Sequence, residues 1–86
     1  MQKYLVICYA VHERKIASCD PFDTYGQAKT FLVKDAKNTY SEEYDNSSEE
    51  DRKFIELTIC DAGIARLSSC KEEYIWTWEI VEIEAN

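Results

Sequence analysis

The chain has 86 residues, 45% of them hydrophobic, with two glycines and one proline; residues 1–86 are expected to form a single domain with one thin core, not a collagenous or loop-rich chain. No apolar run nears the roughly 20 residues that span a bilayer, so no membrane partner is expected. Net charge is −7, split into +2 over residues 1–41 and −9 over residues 42–86; such a chain repels phosphates at long range, which argues against direct nucleic acid binding.

Lys3 to Val11 is a nearly continuous apolar run rich in aromatic and β-branched residues. It reads as a strand with both faces at least partly buried. The alternation and the early charges Glu13, Arg14 and Lys15 fit a strand better than a secretory leader, so a cytoplasmic protein is expected. His12 to Lys15 is a polar break, and Ile16 to Cys19 is a short second strand. A four-residue hairpin loop would set Val11 opposite Ile16 and Cys8 opposite Cys19, although neither Gly nor Asn marks the turn.

Asp20-Pro21-Phe22-Asp23 interrupts the strand pattern. Thr24 and Gln27 have the spacing of a capping box. From Tyr25 the apolar residues recur at helical spacing through Ala28, Leu32, Ala36 and Tyr40, with Lys34 and Lys37 on the outer side. The helix is predicted to fade between Tyr40 and Tyr44, and Asp45 to Ser48 to form a turn. Phe54 to Cys60 alternates as a third strand. Asp61-Ala62-Gly63 suits a three-residue hairpin loop closed by Gly63 in the left-handed region. Ile64 to Ser69 is the returning strand, and pairing Cys60 with Ile64 segregates Ile55, Leu57, Ile59, Ala65 and Leu67 onto one face. A polar loop leads to a last strand, Tyr74 to Ile83, with Tyr74, Trp76, Trp78 and Ile80 on one face. The expected fold is α+β, β-β-α-β-β-β, an antiparallel four- or five-stranded sheet with one helix packed on one face.

The four cysteines, Cys8, Cys19, Cys60 and Cys70, lack the close pairs that zinc knuckles need. Cys60 and Cys70 fall about 17–20 Å apart along the hairpin, too far for a disulfide. Small apolar residues in a reducing compartment is the favoured reading, and no metal or cofactor is expected. Glu42 to Glu50 is rich in oxygen ligands but lacks the alternate-position acids and central Gly of a calcium loop. Nucleophile, metalloprotease, P-loop and dinucleotide motifs are absent, and His12 falls in a predicted hairpin tip with Cys8 and Cys19 on strands that point elsewhere, so an enzyme is not expected.

Two residue sets are candidates for recognition. Glu42, Glu43, Asp45, Glu49, Glu50 and Asp51 place six acids in ten residues. Carboxylates held this close repel one another unless a basic partner offsets them. They suit a small interaction module that binds a basic protein surface, such as an inhibitor or accessory protein of a phage or mobile element that mimics a nucleic acid backbone. The bland alternative is a solvated helix end. The second set is Tyr74, Trp76 and Trp78. Left on an open sheet face they would anchor a homodimer, the alternative functional reading; placed under the helix they would be core.

Overall fold

A computed structural model describes residues 2–69 and 73–84. Strands β1 (Gln2–Ala10) and β2 (Lys15–Phe22) precede helix α1 (Tyr25–Asn46) and a short helix α2 (Glu49–Arg52). Strands β3 (Glu56–Cys60), β4 (Ile64–Ser69) and β5 (Glu73–Glu84) follow. The result is a mixed α+β fold with one five-stranded sheet in the order β2-β1-β5-β4-β3, antiparallel throughout. Hairpins explain the neighbours β1–β2 and β3–β4–β5. The remaining junction joins the first strand to the last along Gln2 to Ala10, so the longest ladder lies at the middle of the sheet. Helix α1, about 33 Å long at 1.5 Å per residue, carries the chain from the β2 edge to the β3 edge.

Packing follows the period-two alternation of the strands. Val6, Cys8 and Ala10 of β1, Ala65 and Leu67 of β4 and Trp78 of β5 turn toward the helix and are buried. Ala28, Leu32 and Ala36 of α1 meet them, each fully enclosed. Their spacing of four keeps one stripe on the sheet, and the two alanines let the backbone approach while Trp78 fills the space between. Trp78, Leu32, Leu67 and Val6 are the largest enclosed side chains, the three aliphatic ones each worth about 1.5–3 kcal/mol relative to exposure.

Local chemistry sets the ends. Thr24 is the N-cap of α1, its hydroxyl accepting from the Gln27 N–H at 3.1 Å. Gly63 closes the β3–β4 loop at φ +82°, and a Cβ there would meet Ile80 and the Tyr25 hydroxyl at 3.1 Å. Cys60 pairs with Ile64, Ile59 with Ala65 and Leu57 with Leu67, as the alternation predicts.

Five features depart from the sequence reading. In the first hairpin, Ala10 rather than Val11 starts the pairing, opposite Lys15, and a bulge after Cys8 sets Cys8 opposite Ser18 and Ile7 opposite Cys19. Arg14 takes the left-handed position (φ 55°) that a Gly or Asn would otherwise mark. Strand β2 continues through Asp20, Pro21 and Phe22, because β2 is an edge strand and edge strands tolerate proline. Helix α1 runs on to Asn46, and α2 restarts after Ser48. Strand β3 begins at Glu56, two residues later than predicted, although Ile55 is buried. The β4–β5 register shifts after Leu67, so Leu67 pairs with Trp76 but Ser68 with Tyr74. The extra residue, Ile75, packs against the core, and Tyr74 passes to the opposite face.

Candidate interaction surfaces

The six acids occupy two helix ends that treat negative charge differently. Glu42, Glu43 and Asp45 lie at the C-terminal end of α1, whose last turn contains no base. Carbonyl groups accumulate partial negative charge there, so the site opposes carboxylates. Helix α1 persists to this point because Tyr40 and Tyr44 stack one turn apart, with ring centroids 5.9 Å apart. Arg52 also donates from Nε to the Tyr44 carbonyl at 2.9 Å, and its guanidinium lies 4.9 Å from the centre of the Tyr44 ring. Ser47 ends the helix, its N–H donating to the Tyr44 carbonyl.

Glu49, Glu50 and Asp51 instead fill the first turn of α2, where N–H groups favour them. Ser48 caps that turn by accepting from the Asp51 N–H at 3.3 Å. All six acids except half-buried Glu43 are exposed. The lysine–carboxylate pairs among the described residues, Lys3–Asp23, Lys15–Glu13 and Lys29–Asp61, involve none of the six. Arg52 and Lys53, which follow directly, are turned to the Tyr44 and Phe54 rings.

The aromatic set divides. Trp78 is fully enclosed beneath α1, and its indole N–H donates to Asp35 Oδ2 at 2.8 Å. Trp76 is half-buried on the same side. Only Tyr74 stands on the far face, where Arg66 lies 5.7 Å from its ring centre. Of the three aromatic residues, Tyr74 alone is therefore on the open face, and Trp78 presents no surface. Asp35 escaped the sequence reading because an acid on an apolar helix stripe looks like an outward-facing residue; the nearby Trp78 N–H is what draws it in.

Cys8 lies in the same region, buried. Burial pushes its thiol up from an ordinary 9.0 to about 11; the Asp35 carboxylate adds to the rise and a hydrogen bond with Ser18 opposes it. Cys19 and Cys60 are exposed on the far face. The ladder pairs place Cys19, Ile7, Glu79, Ile64 and Cys60 in one row across all five strands. The two thiols are thus about 19 Å apart at 4.8 Å per strand and cannot bridge. Cys70 lies outside the described residues. Among those described, no group of three or more His, Cys, Asp or Glu is placed to hold a metal ion.

Two other surfaces contain chemistry-bearing side chains. At the β1–β2 turn, exposed His12 and Glu13 line a hollow of about 230 Å³ with Glu43, Ile75 and Trp76. Along one flank of α1, Lys29, Lys34 and Lys37 border a shallow groove floored by Val33.

Among the described residues, none forms a second layer on the sheet face away from α1. Leu5, Ile7 and Val81 are half-buried there, while Tyr9, Ile16, Tyr74 and Ile83 are exposed. Such a face was expected if the helix covered one side only. No described helix is long and apolar enough to cross a membrane. These features define a small compact α+β domain, and the chain matches no family model, no curated protein and no solved structure.

Proposed function

We propose that this protein is a non-enzymatic interaction module of the cytoplasm that binds a basic protein surface through the end of α1 and the start of α2. One observation carries the reading: Glu42, Glu43 and Asp45 sit where the α1 dipole opposes them, in a turn that contains no base of its own and whose neighbour Arg52 is turned to the Tyr44 carbonyl and ring. Folding gains nothing from acids at those positions, whereas it accounts for Glu49, Glu50 and Asp51 at the N-terminus of α2. Charge kept against the local preference is chemistry suited to a partner. Carboxylates spaced along a helix end and a following turn would meet Lys and Arg side chains that otherwise hold phosphates. An inhibitor or accessory protein of a phage or mobile element would use such a surface to occupy a nucleic acid site. Exposed Cys19 and Cys60, too far apart to bridge, suit a reducing compartment.

The test begins with affinity capture from the native host and repeats it with Glu42→Gln/Glu43→Gln/Asp45→Asn. The expected result is a partner whose binding weakens by about tenfold or more in the triple variant and falls steeply with added salt. A captured partner indifferent to both changes would overturn the proposal.

A further inference from the structure

We infer that the open face of the sheet is the interface of a homodimer, two copies packing sheet against sheet to give a four-layer α/β/β/α sandwich. Three observations point to a second copy as the occupant, and none of them depends on the acidic surface.

The first is area. A monomer of 10.1 kDa exposes about 5,300 Å² by the usual mass scaling, whereas this chain exposes 5967 Å². The excess, roughly 700 Å², is close to the ~800 Å² that each partner contributes to a stable interface of standard size. The molecule is elongated, 49 × 23 × 18 Å, and among the described residues the uncovered sheet face contributes to that total.

The second is the placement of apolar residues. Of the six large apolar side chains exposed among the described residues, four (Tyr9, Ile16, Tyr74 and Ile83) lie on this face. They surround the half-buried strip of Leu5, Ile7 and Val81.

The third is charge. The ladder register puts Lys3, Glu56, Arg66 and Glu79 on this face, two charges of each sign. A chain of net charge −7 would repel its own copy through most surfaces, but here it does not. In a two-fold pairing each contact occurs twice, so a central Glu79 facing Arg66 of the other copy is matched by the reciprocal pair. The same carboxylate, unpaired in any other alignment, disfavours nonspecific sheet stacking. Edge-to-edge assembly is disfavoured too, by Pro21 on β2 and by the shortness of β3, five residues long.

Sedimentation equilibrium from roughly 1 to 100 μM, a range that resolves micromolar dimers, tests the inference. The wild-type chain is expected at twice its 10.1 kDa mass. Ile16→Lys/Ile83→Lys is expected at single-chain mass with unchanged far-ultraviolet dichroism, since both positions are exposed in the single chain. Lys37→Glu, on the opposite layer, should remain dimeric. Methyl cross-saturation between labelled and unlabelled wild-type copies needs no variant and should affect Leu5, Ile7 and Val81. A wild-type monomer at 100 μM would overturn the inference, as would a folded double variant that stays dimeric or cross-saturation centred on α1. Neutralising Glu42, Glu43 and Asp45 leaves the dimer intact, so this result and the partner-binding result fail separately.

Discussion

Asp35 is the residue where helix and sheet chemistry meet. A Trp at the centre of so small a core brings an N–H that water no longer reaches, and α1 supplies the acceptor. The 2.8 Å bond from Trp78 to Asp35 meets that need. It also orients the largest enclosed side chain, so its loss is felt through packing as well as polarity. Asp35→Ala is expected to lower unfolding free energy by about 1–3 kcal/mol, the usual cost of a buried donor left without a partner. Asp35→Asn, which retains an acceptor oxygen, should lose less. Urea denaturation followed by tryptophan fluorescence checks both, and an Ala variant as stable as wild type would show that the bond contributes nothing.

At the scale of elements, the two acidic helix ends should respond oppositely to neutralisation. Glu42→Gln/Asp45→Asn removes carboxylates from the C-terminal end of α1, where each costs about 0.3–1 kcal/mol. Stability should rise. Glu49→Gln/Glu50→Gln removes them from the first turn of α2, and stability should fall by a similar amount, less any relief of mutual repulsion. Thermal melts at low ionic strength, compared side by side, measure the sign of each; equal signs would remove the argument that folding explains one trio and not the other. The boundary between these helices was only half legible in the sequence. Ser47 and Ser48 announce a break, but the Tyr40–Tyr44 stack and the reach of Arg52 back to Tyr44 require a spatial neighbour eight residues away. By contrast Thr24 and Gly63 act on their own backbone within three residues, so the start of α1 and the β3–β4 register could be read directly.

The whole molecule is set by contacts that no local pattern encodes. The β1–β5 ladder joins the two ends of the described chain and fixes the strand order. The bulge at Ile75 decides which aromatic residues are core, because one extra residue turns Tyr74 away from the side that holds Trp76 and Trp78. That single step divided the aromatic set, and alternation alone could not reveal it. Charge, in contrast, was legible as a total and as a gradient along the chain: Lys34 and Lys37 are exposed on the outer side of α1, and the acids follow at its end. A slab with net charge −7 and a thin core should resist unfolding less when its charges act over long distances. At 10 mM salt the screening length is about 30 Å, longer than two of the three dimensions of the molecule, and near 0.15 M it is about 8 Å. Raising sodium chloride across that range should therefore increase the melting temperature by several degrees, given that about 1 kcal/mol corresponds to roughly 4–8 °C at this size. The triple variant Glu42→Gln/Glu43→Gln/Asp45→Asn should begin higher and respond less. Differential scanning calorimetry of the Ile16→Lys/Ile83→Lys variant, expected at single-chain mass, separates this from dimer formation, because salt also screens the repulsion between two like-charged copies. A melting temperature that is flat or falls with salt would mean that self-repulsion is already offset within the fold.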